Sequence, residues 1–445
     1  MKIVNYIVIS LSFLLVTPGF TQKSWTLEQC LERGLKHSLI IRQSQINLQE
    51  AELNFKQSHC QRLPTINSGI QTGFQFGRTI NPTTNDFDNQ RIGYNTLYLE
   101  GNVPIYKGNS INKTIEQRQF EQQANERDVE VTKRELSLDI ASAYLNILLA
   151  EEQLEYTRQQ LDVSSQQLDQ TQKLIAGGLQ PKNDLHSFET QVAKDEQRVT
   201  EAENNLVLNY LNLEQILELE PGSIQSIERP DLPVPQDETS LVSQAIIRQA
   251  IQGHPQVQAD EARIQGAKAQ VSVAQAGRLP TVSLYGSLNS NFSSINSDLI
   301  KEQPYFQQLN DNFGQNVGID ISIPIYNNCR IRTATEKARL NVIRQQTKNK
   351  QSKQQLWKSI QSAVTDVKGF FKTSQAAQRA ASTANLAYED TEKRYQLGLA
   401  NAYELAASRN EKYTAELEAL QSKYRFHFSK MILQHHLGRP LNLVE

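Results

Sequence analysis

Cysteine, long apolar runs and an excess of one charge are all scarce in this sequence. Its 445 residues carry a formal net charge of −2, and no basic patch indicates nucleic acid as a partner. Beyond the run Ile3–Val16 the chain never reaches about 18 consecutive apolar residues, which excludes a transmembrane helix from the mature chain. A membrane β-barrel is not excluded in this way, because barrel strands alternate apolar with polar residues.

The few reactive side chains give no sign of catalysis. The chain has three cysteines, and two of them, Cys30 and Cys60, fall about 45 Å apart on one predicted helix and cannot form a disulfide with each other. The histidines show neither metal-ligand spacing nor a nucleophile motif. They are His37, His59, His186, His254, His427, His435 and His436. We therefore expect no enzyme, no cofactor and no metal site.

The first residues form a segment that is too short to span a membrane. Residues 1–22 carry one lysine, the apolar run Ile3–Val16, and then Pro18 and Gly19. A spanning helix needs about 20 apolar residues. The pattern is typical of a secretory signal peptide that is cleaved between Gly19 and Gln22. We therefore expect the mature chain to be exported.

The remaining sequence contains one unit written twice. "NVPIYKGNSINKT" begins at Asn102 and "SIPIYNNCRIRTA" at Ser322, 220 positions later. "RLPT" occurs at Arg62–Thr65 and at Arg278–Thr281, 216 positions apart. The four-residue difference falls between Thr65 and Pro104, where a surface loop would absorb it. The chain is thus predicted to hold two tandem repeats, residues 23–220 and 240–445, with a proline-rich connector at 221–239.

Each repeat is predicted to contain a helix, two strands, a long helix, a glycine turn and a returning helix. In the first repeat the helix is 26–62, the strands are about 65–77 and 92–105, and the later helices are 109–177 and 183–218. In the second repeat the corresponding segments are 240–278, about 281–293 and 314–325, 329–397, and 401–437, followed by a C-terminal tail. The α-helical part is therefore much the larger.

The predicted helices are coiled-coil rods. Apolar residues recur every seven positions, for example at Ile140, Ile147 and Leu154, which is typical of a helix-packing seam. A helix of about 69 residues reaches about 100 Å. The two shorter helices of each repeat, placed end to end, would flank that whole length. Such rods favour a conduit over a compact globule.

The predicted strands have one apolar and one polar face. Val317, Ile319 and Ile321 alternate with Gly318 and Asp320, which is the pattern of membrane-barrel strands facing lipid on one side. Four strands cannot close a barrel, and an open edge in lipid leaves backbone groups unsatisfied. Two copies of the chain would give a barrel too narrow for a channel, whereas three would give about twelve strands. We therefore expect a homotrimer in contact with membrane lipid.

Over essentially the whole mature chain, the sequence resembles the TolC family of outer-membrane efflux and secretion channels. The resemblance rests on the duplicated unit, the "RLPT" and "PIY" junctions, and the turns "AGGLQPKNDL" and "LGLANAYEL". It implies a trimer in the outer membrane of a Gram-negative-type cell. Its β-barrel would continue into a long periplasmic α-barrel. It also implies passive export, with a periplasmic adaptor protein and an inner-membrane pump as partners.

The resemblance places the periplasmic entrance at the two helical hairpin tips. Asn183 and Asn401 are candidate caps of the returning helices, and each precedes a carboxylate, Asp184 or Glu404. The family has acidic rings here, although a carboxylate near a helix start also has a simple dipole explanation. Tyr395 matches an entrance tyrosine of the family. The position of the usual basic partner of that tyrosine is occupied by Ala400, and the position of the second ring aspartate by Ala407. The network of interactions that closes the entrance is therefore predicted to differ from that of the family.

Two further sets of residues have predicted roles. The turn residues expected to contact the adaptor are Gly178, Leu179, Gly398 and Leu399. The residues expected where a strand passes into a tunnel helix are Pro104, Tyr106, Pro324 and Tyr326. The alternative function is a secreted structural coiled-coil or scaffold protein, which would explain the heptads but not the four matched strands.

Overall fold

The computed structural model describes residues 24–80, 87–177, 182–230, 232–233, 243–294, 303–439 and 441. The predicted signal peptide at 1–22, the turn residues Gly178 and Leu179, the connector residues 231 and 234–239, and most of the tail lie outside the described residues.

The described chain is mostly helical, with one small sheet. The first repeat contains α1 (Leu27–His37), α2 (Leu39–Cys60), β1 (Thr65–Ile80), β2 (Phe87–Lys107), α3 (Ser110–Ala176) and α4 (Lys182–Ile216). The second repeat contains α5 (Gln244–Gly253), α6 (Pro255–Ala276), β3 (Thr281–Ser293), α7 (Tyr305–Asp311), β4 (Gly314–Ser322), α8 (Arg330–Gln396) and α9 (Ala402–His436).

The duplication is preserved in the helix lengths. The long helices α3 and α8 both have 67 residues, and the returning helices α4 and α9 both have 35. At about 1.5 Å per residue each long helix reaches about 100 Å. Even the unusual residue before each long helix is repeated, since Asn109 and Cys329 both have a positive φ, of 65° and 61°. The two repeats therefore share one backbone plan.

Each helix that was predicted at the start of a repeat is divided into two. Helix 26–62 is interrupted at Ser38, whose extended backbone and side-chain oxygen cap α2. Helix 240–278 is interrupted at His254, which caps α6 in the same way and precedes Pro255. A residue before proline disfavours the helical conformation, so the second break has a signal in the sequence. The first break is explained by the Ser38 side chain, which accepts hydrogen bonds from backbone N–H groups at the start of α2 and so favours a new helix start there.

The four strands form one antiparallel sheet in the order β1-β2-β3-β4. Opposite residues share a face, as in the pair Leu99 and Leu288. Large apolar side chains such as Ile70, Phe74 and Val317 are exposed. Strand β2 begins at Phe87, earlier than expected, and β4 ends at Ser322, earlier than expected. Within the described residues both β1 and β4 are edges without a second neighbour.

None of the helices within the described ranges combines the length and apolarity needed to cross a bilayer.

The buried cores lie where the shorter helices of each repeat meet end to end. The C-terminal end of α4 meets the α1–α2 break, and we name this contact the first seam. Leu213 and Leu217 are fully buried there. At the second seam, the C-terminal end of α9 meets the α5–α6 break, and Val257 and Leu433 are buried. All three cysteines are free thiols, and only Cys30 is buried. The end-to-end stacking expected from the helix lengths is thus present in both repeats.

Candidate functional site

The turn of the second hairpin is a tightly bonded helix end. The N–H of Gly398 donates to the carbonyl of Tyr395 at 3.0 Å, and the N–H of Leu399 donates to the carbonyl of Arg394 at 2.8 Å. These two bonds form a Schellman motif. Gly398 has a φ of 72°, where a residue with a side chain is strained. The glycine predicted at this turn therefore has a defined backbone role.

Glu404 is held by partners on both sides of that turn. Asn401 caps α9, since its Oδ1 accepts from the Glu404 N–H at 2.8 Å and its Nδ2 donates to Glu404 Oε1 at 3.0 Å. Arg394 Nη2 lies 3.8 Å from Glu404 Oε2 and donates to the Leu399 carbonyl at 3.3 Å. The cation beside Glu404 is thus Arg394, in the last turn of α8, a position where a cation also suits the helix dipole. No sequence pattern had singled out Arg394, because the basic partner expected from the resemblance, at Ala400, was that of Tyr395.

The same tip exposes apolar side chains to solvent. Leu397 is 74% exposed, Leu399 67% and Tyr403 82%. Tyr395, one turn earlier on α8, is half-buried. Leu399 was expected here from the sequence, whereas Leu397 and Tyr403 were not singled out. Together these residues make an apolar patch at the end of a polar rod, which is a feature of contact surfaces.

The tip of the first hairpin is described only in part. Helix α3 ends at Ala176, and the Gly177 N–H donates to the Lys173 carbonyl at 3.1 Å. Helix α4 begins at Lys182, so Asn183 and Asp184 belong to its first turn. Asn183 therefore lies inside the helix and not before it. The placement of Asp184 matches that of Glu404 at an offset of 220.

A buried polar cluster lies behind the tips and joins the two hairpins. Arg409 of α9 and Asp195 of α4 are 4% and 1% exposed, with Nη2 and Oδ2 3.8 Å apart. Arg409 Nη1 also donates to Gln167 Oε1 of α3 at 2.8 Å, and Gln191 Nε2 donates to both oxygens of Asp195 at 3.0 Å. Burial lowers the pKa of Arg409 below its usual value. No sequence pattern had marked these residues, because they come from three separate segments.

Lys412, which interrupts the heptad pattern of α9, has an explanation in the same region. Its ammonium lies 5.0 Å from the centre of the Tyr388 ring and 3.9 Å from Glu416 Oε1. A cation over an aromatic face gains electrostatic attraction while its methylene stem packs on apolar surface. A lysine is therefore compatible with this half-buried position.

The two strand-to-helix junctions differ in how they are covered. In the first, Pro104 lies opposite Ser283 and Tyr106 opposite Val282, with Ile105 as an extra residue between them. In the second, Pro324 and Tyr326 lie beyond the end of β4 and have no strand partner within the described residues. Tyr326 is accordingly 79% exposed, compared with 43% for Tyr106. The second junction is the open counterpart of the first.

Helix α2 carries a further uncovered surface. Leu39, Ile46 and Leu53 are exposed and recur at seven-residue intervals. Such a stripe is what one helix of a coiled coil presents to the next. Together with the edges β1 and β4, it makes two unsatisfied flanks on the described part of the chain.

The family model described as outer membrane efflux protein matches residues 31–218 and 246–439. This chain belongs to the outer membrane efflux protein family. The two matched segments coincide with the two repeats, so the family assignment covers both halves.

Several relatives of this efflux protein are known. It is 24% identical to the outer membrane protein TolC of Vibrio cholerae over 318 residues, which is 69% of this chain and 68% of the relative. It is also 24% identical to TolC of Escherichia coli over 309 residues, which is 68% of this chain but only 61% of that relative. The crystal structure of the outer membrane protein VceC from Vibrio cholerae matches with a TM-score of 0.78 and 18% identity, covering 94% of this chain and 97% of VceC.

These likenesses confirm the TolC-like fold, the tandem repeats and the four strands expected from the sequence. The family consists of channels and not of enzymes, and it indicates an outer-membrane location for this efflux protein. The alternative of a secreted scaffold protein is set aside by the family assignment.

Proposed function

We propose that three copies of this efflux protein close into one passive export channel. The channel would serve a tripartite efflux or type I secretion system, with a periplasmic adaptor protein and an inner-membrane pump as partners. The observation that carries the proposal is that each chain has two unsatisfied flanks which the internal duplication makes complementary.

The duplication supplies a template for the contact between strands of neighbouring copies. Within the chain, β2 of the first repeat pairs with β3 of the second, for example through Glu100 and Ser287. Each residue can be replaced by its equivalent in the other repeat, which lies 220 positions later for β2 and 216 positions earlier for β3. The pair Glu100 and Ser287 then becomes Asp320 of β4 and Gln71 of β1. Strand β4 of one copy would then pair with β1 of the next, and Asp320 would lie opposite Gln71.

The faces of the two strands agree with that register. The pair Gly101 and Gly286 converts in the same way into Ile321 and Ile70, which are both exposed apolar residues. Asp320 and Gln71, one step along, both belong to the polar faces. A slip of one residue would bring an apolar side chain opposite a polar one along the whole edge. The derived register is thus the one that keeps an unbroken apolar exterior towards lipid.

The helices give a second, independent match. In the chain, α6 packs along α3. The same conversion places α2 along α8 of the neighbouring copy. Helix α2 exposes the stripe of Leu39, Ile46 and Leu53, and α8 exposes Leu340 and Ile343. Each stripe would cover the other.

The size of the pore favours three copies. Eight strands enclose an interior that side chains fill, whereas three four-stranded sheets give twelve strands and leave room for a lumen. The helices would continue the lumen as a tube about 100 Å long. The exposed residues Leu397, Leu399 and Tyr403 at its tip would contact the adaptor. Glu404 and Asp184 would line the entrance, where rings of carboxylates favour cations.

Cysteine cross-linking across the proposed edge tests this assembly. In a chain with its native cysteines replaced by serine, Asp320→Cys combined with Gln71→Cys should give covalent trimers on a non-reducing gel. Residues directly opposite in antiparallel strands lie about 5 Å apart, which is within reach of a disulfide.

Two matched variants serve as controls. Glu100→Cys with Ser287→Cys, the template pair inside the chain, should cross-link within single chains only. Asp320→Cys with Thr72→Cys, shifted by one residue, should cross-link poorly, because the two side chains would point to opposite faces. Monomers alone from the Asp320 and Gln71 variant, with the internal pair cross-linked, would contradict the proposed assembly.

A further inference from the structure

Three histidines, His254 and the distant pair His435 and His436, line one cavity at the second seam. The cavity has a volume of about 580 Å³ and lies where the end of α9 meets the start of α6. Its ionisable lining consists of Arg134 and Glu135 from α3, His254 from the α5–α6 break, Lys348 from α8, and His435 and His436 from α9.

The charges around this cavity are strongly unbalanced. With neutral histidines, two cations, Arg134 and Lys348, face one carboxylate, Glu135. Protonation of all three histidines would bring the count to five cations against that one carboxylate. Like charges confined in a partly desolvated space repel one another strongly. The second seam is therefore compatible with neutral imidazoles and not with protonated ones.

Two of the histidines are placed so that a proton would break the local structure. Nδ1 of His254 accepts a hydrogen bond from the Gln256 N–H at 3.2 Å, which is the cap of α6. Only the neutral ring has an acceptor nitrogen, so protonation removes the cap. Nε2 of His435 is buried without a hydrogen-bond partner, so an N–H on that nitrogen would have no acceptor.

The pKa values of the three side chains agree with this reading. Burial, followed by the charge of Arg134, lowers the pKa of both His254 and His435 to about 4. The same two causes lower the pKa of His436. Burial raises the pKa of Glu135, assisted by nearby Asp139, which weakens the one compensating charge.

A metal ion does not explain the cluster. Within the part of the chain that the structure describes, no group of histidine, cysteine and carboxylate side chains is arranged to hold one. Arg134 and Lys348 would also repel a cation from the cavity.

We propose that the second seam is a proton-operated joint, in which protonation of His254, His435 and His436 in mildly acidic solution separates the end of α9 from the start of α6. The joint would loosen the second hairpin from the upper part of the same chain, while the first seam, which has no such cluster, stays closed.

The direction of the effect follows from linkage. A histidine with a pKa near 6.5 when unfolded and about 4 when folded binds fewer protons in the folded state. Its stabilising contribution is complete above pH 6.5 and is lost as the pH falls towards 4. For a histidine with these values, the opening equilibrium should rise by on the order of tenfold between pH 7 and pH 5.

Hydrogen exchange of the full-length channel at pH 7 and pH 5 tests the joint, with protection factors corrected for the intrinsic effect of pH. In the wild type, amides at the end of α9 and the start of α6 should lose protection by at least about tenfold at pH 5. Amides at the first seam should change far less.

The first repeat supplies the residues for the decisive variant. Ser38 and Gln215 occupy the positions equivalent to His254 and His435. The double variant His254→Ser, His435→Gln keeps a cap at α6 and should remove most of the loss of protection at pH 5. His59→Gln, on the exposed surface of α2, should leave the loss unchanged.

Two results would overturn the joint. One is equal protection at the second seam of the wild type at both pH values. The other is an undiminished loss in the double variant. Exchange at pH 7 separates a structural defect of that variant from its pH response, and His435→Gln alone, which leaves the cap of His254 in place, should give an intermediate response.

Discussion

The first and second seams have the same backbone plan but differ in how completely they are filled. At the first seam, Leu213 and Leu217 are fully buried, and Ile224 and Ile227 from the segment after α4 cover them. At the second seam, Val257 and Leu433 are also buried in an apolar core, but a cavity of about 580 Å³ lined by polar and ionisable groups lies next to it. The same duplicated framework thus supports one fully packed seam and one seam that contains a cavity.

The segment that follows α4 explains much of this difference. It turns back through Glu218, which has a positive φ, and pairs Ile227 with Trp25. Leu232 then completes the same core. These residues come from the segment between the repeats, and the second seam has no counterpart of them within the part of the chain that the structure describes.

The largest effect is expected from opening a void in the closed seam. Leu217→Ala should lower the free energy of local opening at the first seam by about 3 kcal/mol. Leu217 is fully buried against the end of α1, and deletion of a buried leucine leaves a cavity. Hydrogen exchange of amides at the ends of α1 and α4 would measure it. The matched variant Leu437→Ala, at the half-buried equivalent position, should cost less than half as much. Equal losses would mean that the two seams do not differ in packing.

A smaller loss of stability is expected from substitution of Glu214, whose carboxylate accepts hydrogen bonds from the connector. Glu214 is 2% exposed, and its two oxygens accept from the Ile224 N–H at 2.8 Å and the Gly222 N–H at 3.0 Å. The equivalent residue of the second repeat is Gln434. Glu214→Gln should cost about 2 kcal/mol, because the amide offers one acceptor oxygen and turns a donor towards the other N–H.

The stability lost in Glu214→Gln should appear as faster hydrogen exchange of the Ile224 amide, while the amides of α8 and α9 exchange as before. Gln434→Glu is the matched control, and it should not protect any additional amide. If Glu214→Gln leaves the exchange of the connector unchanged, the connector is held by its apolar residues alone.

Features that repeat along the sequence were predictable, and features made by distant segments were not. The heptads and the two "PIY" junctions are local patterns, so they gave helices of the observed kind at the observed spacing. The break at Ser38 was missed because a single cap residue outweighed a continuous helical pattern. The ion pair of Arg394 with Glu404 and the cluster around Arg409 depend on which helix faces meet, and the sequence does not encode that contact in any short motif.

The histidines show the same limit most clearly. They show no metal-ligand spacing or nucleophile motif in the sequence, since His254 is far from His435 and His436 along the chain. They meet because one lies at a helix start and the others at a helix end, and the two ends are stacked. Pro255 marked that helix start in the sequence, and it is the one signal that pointed to the place.

The smallest of these effects concerns a hydroxyl that ties the first seam to both ends of its repeat. Tyr144 is 2% exposed, and its OH donates to the Glu228 carbonyl at 2.6 Å and also lies 3.2 Å from the Trp25 carbonyl. Its equivalent in the second repeat is Val364, which has no hydroxyl to make such a bond. Tyr144→Phe keeps the ring packing and removes only the donor, so it should cost about 1 kcal/mol. Exchange of the backbone bonds between Trp25 and the segment 226–228 should accelerate, while the end of α4 stays protected because Leu213 and Leu217 still fill it. If the end of α4 opened together with that segment, the first seam would be a single cooperative unit of hydrogen bonds and packing, and its contrast with the second seam would lie in cooperativity as well as in filling.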